Sequence, residues 1–509
     1  MAIIKLDRIV SASSREVYDF LCDPVNELQW KGNVTEVTLK SGKPKAVGAV
    51  YTQKIQGPAG RMGGQVQIDH LNPEQSIEFS AKMGPAQMKY SYSIEEVPEG
   101  THIVMEAEIK GIISLTVKPM IEKQLRSALN NLAQRWGGET RTEEDIYDKM
   151  IEHLGQVGAG IPGPFASMFI NFFTPEEAEV ALGLPVLKPP FEVDEVDIIA
   201  SRVNKPVDYV QRILDGMAKS GFVVRRSLES GKTGYCFTQG RFGLPQMFFW
   251  KGEVKPEIQP IAPMMKNFIT SNTTYFKAGD GVAKMSRYIP VSQSLKSNYS
   301  TVLPHDVLEE LIKKTRRRAL VHCACRVLAK TADENHSCGH TVENCIKFNE
   351  LADFVVENGL GRDISMEEAF QIVRKADEEG LIHYTDNCGD GLKHLCNCCS
   401  CCCWYLYMIK NDLLHRDEVV DVYYIRDTDR GKCIGCGQCV SDCPLELLKM
   451  ADGFPEVNRD KCLGCGVCYR NCPTQAIMMK KRSYMHLPAS DFKTLHTNII
   501  KSKINRKNQ

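Results

Sequence analysis

Two stretches of the chain, "CIGCGQCVSDCP" at 433–444 and "CLGCGVCYRNCP" at 462–473, repeat one cysteine spacing, C-x2-C-x2-C-x3-C-P, at an offset of 29 residues. A third, "CNCCSCCCWYL" at 396–406, places six cysteines in eight consecutive positions. Such thiols can form disulfides, bind a soft metal, or simply be buried. Adjacent cysteines make poor disulfide partners, because the favoured Cα separation and dihedral are hard to reach across one peptide bond. Nineteen of the 21 cysteines lie between Cys323 and Cys472, while Cys22 and Cys236 sit alone in ordinary apolar segments. That clustering is far more than burial explains, so the pattern points to metal coordination.

The two repeats closely resemble the bacterial-type ferredoxin with two [4Fe–4S] clusters. The resemblance implies that three close thiolates wrap one corner of a cubane and that the fourth, before proline, ligates the other cluster. Cys433, Cys436 and Cys439 would then share a cluster with Cys472, and Cys462, Cys465 and Cys468 with Cys443. Gly435, Gly437, Gly464 and Gly466 would let backbone amides approach the sulfurs. Two zinc knuckles are the competing reading.

Upstream, Cys323, Cys325, Cys338 and Cys345 precede Cys388 and the dense run Cys396, Cys398, Cys399, Cys401, Cys402 and Cys403. In an extended segment Cys396 and Cys398 face one way and Cys399, Cys401 and Cys403 the other; in a helical turn Cys399 would share a face with Cys402 and Cys403. Either way one cubane cannot take all six. The expected centre combines one or two of them with Cys323 and Cys325 and with Cys338 or Cys345. At least one further iron–sulfur cluster is expected here, with zinc, which also takes four thiolates, as the alternative. Residues of about 170–480 also resemble uncharacterised ferredoxin-type proteins of anaerobes, on "FTPEEAEVALGLP", "CACR" and "CNCCSCCC". His340 stands where that resemblance implies a less polar residue or proline.

The elements that must position these thiols read as an α+β multidomain chain. Residues 1–138 alternate apolar and polar residues in several short strands and close on a helix with Ile121, Leu125, Ala128, Leu129, Leu132 and Trp136 at helical spacing. The pattern "SASSREVYDFLCDP…W" resembles the START-like, polyketide-cyclase (SRPBCC) superfamily, which implies a helix-grip fold around an apolar ligand cavity. No catalytic constellation stands out there; His70 and His102 read as strand or surface residues. A helical linker is expected over 139–172. A winged-helix-like domain follows over 173–240, with helices near 194–203 and 206–220 and a hairpin at Ser230-Gly231. Residues 241–315 form an irregular connection ending in a helix near 304–318. The cysteine-rich cluster-binding domain spans 316–426, with helices expected at about 342–358 and 366–379 and a strand at "GLIHYT". The ferredoxin domain occupies 427–482, and 483–509 is a basic tail, read as a solvated end or a dock for an acidic partner.

Lys+Arg and Asp+Glu both number 63, so total charge gives no pointer to nucleic acid. The helix "KPVDYVQRILDGMAKSG" mixes acids with bases, which argues against DNA reading. No apolar run is long enough for a membrane span, and the start lacks the pattern of a signal peptide. A cytoplasmic location, where thiols stay reduced, is expected. Neither a Walker A sequence nor a Rossmann G-x-G-x-x-G is present. The expected function is electron transfer through iron–sulfur clusters between a donor and a partner oxidoreductase in anaerobic metabolism. The alternatives are a reductase acting on an apolar ligand of the N-terminal domain, and a redox-sensing winged-helix regulator.

Overall fold

The computed structural model describes residues 2–507 apart from 58–59, 84–85, 111–113, 138–145, 159, 162, 167, 169, 241, 257, 260, 272–283, 292–306 and 483–486. The chain forms two compact units, one of Met1–Ile151 with Pro164–Pro175, the other of Glu152–Gly163 with Glu176–Gln509. The span read as a linker is therefore divided between them, with a helix at Ile146–Gln156.

In the first unit seven antiparallel strands form one sheet. Their spatial order is Ala2–Val10, Gly100–Lys110, Ala86–Val97, Ser76–Met83, Gly60–Asn72, Val50–Gly57 and Val34–Ser41. Helix Ser114–Arg135 buries Leu125, Ala128, Leu129 and Leu132, and helix Ser14–Leu21 buries Val17, Phe20 and Leu21. The strand Val34–Ser41 was not legible beforehand. Only Val34 and Val37 of it are buried, so the two-residue alternation that marks a half-buried strand is missing.

After helix Pro175–Ala181, the second unit holds helices Val196–Val203 and Val207–Lys219 and a three-stranded sheet in the order Asp194–Glu195, Thr233–Phe237, Val223–Ser227. The hairpin turns at Gly231, whose φ of 77° suits a residue without Cβ. Lys205 pairs with Glu179 at 3.0 Å, and Asp215 binds Arg225 at 2.9 Å and the Tyr235 hydroxyl at 2.8 Å. Lys205, just before helix Val207–Lys219, and Asp215 on it thus have partners within the chain.

A six-stranded antiparallel sheet carries the cysteine-rich region, in the order Ser286–Ile289, Ile382–Asp386, His394–Cys398, Glu343–Phe348, Arg318–His322, Arg362–Asp363. Two expectations are corrected here. The helix expected at about 342–358 is the strand Glu343–Phe348 followed by helix Asn349–Glu357. That strand lies inside the sheet and is buried on both faces, so its apolar run has no period to distinguish it from a helix. The helix expected near 304–318 is confined to Leu308–Lys313 among the described residues, and Arg318 already starts a strand. Helix Met366–Glu378 starts as read, with the Ser365 hydroxyl accepting from the Glu368 N–H at 3.0 Å.

The basic end is also corrected. Residues Phe492–Lys507 form a helix, not a solvated tail. Phe492, Leu495, His496 and Ile500 make a buried stripe, with Phe492 and His496 against Phe242, and Lys503 donates to the Gly155 carbonyl at 2.9 Å. The eight basic residues of 480–509 concealed that stripe.

Candidate metal centres

The repeated cysteine segments fold as near copies. Short helices Gln438–Ser441 and Val467–Arg470 each follow a glycine in the left-handed region, Gly437 (φ 75°) and Gly466 (φ 77°). Strand Tyr424–Thr428 pairs with Ile477–Lys481, and Leu448–Ala451 with Phe454–Val457. The two halves meet in two cavities. One is lined by Cys433, Cys436, Cys439 and Cys472, the other by Cys443, Cys462, Cys465 and Cys468. Each cavity therefore takes three thiols from one repeat and one from the other. Backbone donors reach the crossing sulfurs at equivalent places, Leu447 N–H to Cys443 Sγ at 3.4 Å and Ala476 N–H to Cys472 Sγ at 3.3 Å. Burial pushes the Cys468 thiol up to about 12 and Cys465 well above its usual range. Such thiols stay protonated unless a metal takes them, which suits four-thiolate cluster sites.

Gly464 shows how closely the backbone wraps the second cavity. Its φ is 60°, and a Cβ there would stand 2.1 Å from the Tyr424 carbonyl oxygen, in a strand held by its own ladder. Gly464→Ala is expected to lower iron by about four atoms per chain, read by iron and sulfide analysis.

Arg426 separates the two cavities and lines both. It is 2 % exposed, and its Nη2 donates to Cys439 Sγ at 3.5 Å. Sequence reading did not single it out; its signal was a lone arginine in the apolar-flanked strand just before the first repeat.

The central thiols divide into two groups. The first holds Cys323, Cys325, Cys345, Cys396, Cys398 and Cys403. Thiol contacts run from Cys396 to Cys345, on to Cys323 and Cys325, then to Cys403 and Cys398. Sheet register explains half of this set. Ile346 stands opposite Leu395, so one step further sets Cys345 beside Cys396, and Cys398 follows on the same face two residues on. Cys323 ends the neighbouring strand as the N-cap of helix Ala324–Ala332. The strand stops at Cys398, a turn reverses the chain, and Cys403 caps helix Trp404–Lys410. Hence Cys403 joins Cys398 rather than Cys399 and Cys401, against both the extended and the helical readings.

The second group holds Cys338, Cys399, Cys401 and His340, whose ligand atoms all lie within 4.8 Å of one another. Cys402 adjoins it, with His336 Nε2 at 3.1 Å from its sulfur. Cys338 thus groups with Cys399 and Cys401, packing with Cys325 against one small apolar core, and Cys345 is the upstream residue in thiol contact with Cys323. Cys388 stands apart, fully buried beside Asp386 and Arg287. All 21 cysteines are free.

Between the two groups lies Arg326, 2 % exposed, donating to the Thr341 carbonyl at 2.7 Å and the Asn397 carbonyl at 3.1 Å. Burial opposes its charge, but the facing Cys323, Cys399 and Cys345 thiols hold its pKa above the usual arginine value. It is the arginine of "CACR", and its role was not read from the sequence.

The repeats also dock firmly on the central sheet. Val291 N–H donates to the Cys465 carbonyl at 2.9 Å, Arg416 donates to the Cys462 carbonyl, and Arg470 binds the Asp377 carbonyl at 2.7 Å. Ile382, which lines the second cavity, pairs in register with Cys398. In the first unit one buried polar cluster was missed: Glu27 accepts from Lys31 at 2.5 Å, from the Tyr90 hydroxyl at 3.0 Å, and from Gln53. Its only sequence trace is an i,i+4 Glu–Lys pair.

This combination defines an iron–sulfur protein with an added helix-and-sheet domain. Residues 426–479 match the family model described as 4Fe-4S dicluster domain, and residues 1–137 match that of polyketide cyclase / dehydrase and lipid transport. The chain carries both domains. No curated protein matches it. Among solved structures, a protein from Chromobacterium violaceum is 18% identical, with 27% of this chain and 98% of that one covered and a TM-score of 0.23. Major latex-like protein 151 from Panax ginseng is 12% identical over 26% of this chain and 97% of its own, with a TM-score of 0.24. Likenesses at that level carry no argument. No helix among the described residues is long and apolar enough to cross a membrane.

Proposed function

We propose that the chain is an electron-transfer protein in which a central iron–sulfur centre, held by thiols of the six-cysteine group, exchanges electrons with the dicluster domain. The observation that carries this reading is contiguity. Arg426 lines both dicluster cavities, and Ile382 connects the second cavity to Cys398 of the central group. Cys443 and Cys465 pack in the same apolar core as Cys398 and Cys403.

In the dicluster domain the ligands would be Cys433, Cys436, Cys439 and Cys472 for one [4Fe–4S] cluster, and Cys443, Cys462, Cys465 and Cys468 for the other. The clusters would supply one-electron chemistry; the chain's residues position them, exclude water and set their potentials through N–H···S bonds and buried guanidinium groups. A redox partner protein, in the metabolism of an anaerobe, would deliver or collect the electrons. The N-terminal domain would hold an apolar ligand or dock that partner. The helices Pro175–Ala181, Val196–Val203 and Val207–Lys219 with the hairpin follow the order of a winged helix, and the mixed charge of the last helix, with Asp215 paired to Arg225, favours a packing role over DNA binding.

Protein purified without oxygen is expected to contain about twelve iron and about twelve sulfide per chain. It should accept electrons from a low-potential dye and pass them to a higher-potential one, with magnetic coupling between neighbouring reduced clusters. Zinc in place of iron, or clusters that no dye reduces, would end this reading.

A further inference from the structure

We infer that Cys338, His340, Cys399 and Cys401 bind a single tetrahedral zinc ion, a ligand set distinct from those of the iron–sulfur centres. The distances carry the inference. Cys338 Sγ lies 3.4 Å from Cys401 Sγ, 3.9 Å from Cys399 Sγ and 3.5 Å from His340 Nδ1, and Cys401 Sγ lies 4.0 Å from that nitrogen. With Zn–S of about 2.3 Å and Zn–N of about 2.0 Å, a tetrahedral ion sets its ligand atoms about 3.5–3.8 Å apart. The four corner thiolates of a cubane stand roughly 6 Å apart instead.

The same chain supplies the contrast. The eight dicluster cysteines line two cavities, four around each. At Cys338, His340, Cys399 and Cys401 the ligand atoms converge on a point the size of one ion. The ligand chemistry agrees, since three thiolates and one imidazole make a standard structural zinc set, whereas cubanes are held by thiolates.

Local structure gives such an ion something to hold. Cys338 and His340 lie in the loop between helix Ala324–Ala332 and strand Glu343–Phe348, and Cys399 and Cys401 in the turn before helix Trp404–Lys410. An ion would clip loop to turn. Cys401 is exposed, so metal can enter from solvent. Arg326, bonded to Thr341 on the loop side and Asn397 on the strand side, parts this set from the six-thiol group. The dense run thereby serves two sites, Cys396, Cys398 and Cys403 toward one and Cys399 and Cys401 toward the other. Cys402, 3.7 Å from Cys401 but hydrogen-bonded to His336, is the rival fourth ligand.

The test measures zinc, iron and sulfide together in the full chain, purified without oxygen from zinc-supplied and cobalt-supplied cells. About one zinc per chain is expected beside the iron, and Co²⁺ in its place should give the strong visible bands of a tetrahedral thiolate site. Cys401→Ser and His340→Ala should each lower zinc retention at least tenfold with iron and sulfide unchanged. His340→Cys should keep the ion, because four thiolates also suit zinc, and Cys402→Ala should keep it as well. A full chain that takes up neither zinc nor cobalt overturns the inference. So does a Cys401→Ser protein that loses iron and sulfide, or zinc lost in Cys402→Ala but kept in His340→Ala. If Cys401→Ser fails to fold, the two His340 variants decide. Electron transfer is read separately, from dye reduction and the spin signals of the dicluster clusters, so loss of zinc alone leaves that reading standing.

Discussion

Replacing Cys323 and Cys345 together by serine is expected to remove about four of some twelve iron atoms, with a matching loss of sulfide. The two thiols are 8 % and 3 % exposed and in contact, one at the end of a strand and the other within the strand beside it. Six thiols meet there, more than the four corners of one cubane, so single replacements could be covered by a neighbouring cysteine. Removing two from the middle of the contact chain breaks the link from Cys396 through Cys345 and Cys323 to Cys325, and leaves Cys396 and Cys398 on one strand face with Cys325 and Cys403. The eight dicluster thiols lie in their own cavities, and their clusters should keep their spin signals and iron. That retained signal distinguishes loss of a centre from unfolding. Iron unchanged at about twelve would mean that Cys325, Cys396, Cys398 and Cys403 hold the cluster without them; iron at about eight in both proteins would mean that the six thiols are a packed core without metal, and the electron path would end at the second dicluster cavity.

Replacing Arg426 by methionine is expected to lower the reduction potential of both dicluster clusters by about 100 mV. Reduction adds negative charge to a cluster, and a fixed guanidinium nearby stabilises the reduced form. At about 6 Å and an effective dielectric of about 20 the interaction is about 3 kcal/mol. For one electron, 59 mV corresponds to a tenfold change, or about 1.4 kcal/mol. The interaction therefore corresponds to about 120 mV, on the order of 100 mV, and the sign is downward. Arg426→Lys keeps the charge and should recover most of the potential while losing the donor fork toward Cys439. A redox titration followed by electron paramagnetic resonance reads both variants. If lysine and methionine behave alike, the residue acts through packing rather than charge.

Where ligand spacing is local, sequence sufficed. Three cysteines of each repeat occupy one turn, so C-x2-C-x2-C already encodes which of them converge; the crossing fourth followed from the ferredoxin resemblance, and the two cavities bring together the same sets of four. The helix-grip domain was legible for a related reason: alternation in most strands and the helical spacing of Leu125, Ala128, Leu129 and Leu132 are short-range patterns.

The central thiols were legible only as a crowd. Their partition depends on strand register, which sets Cys345 beside Cys396 across about fifty residues of chain, and on a turn at 399–402 that sends Cys403 back toward Cys398. No local spacing encodes either. The buried arginines were hidden likewise, because Arg326 and Arg426 have meaning only through the sulfurs that tertiary packing brings to them. Local chemistry determined that this chain gathers thiols; long-range strand pairing decided which of them stand together.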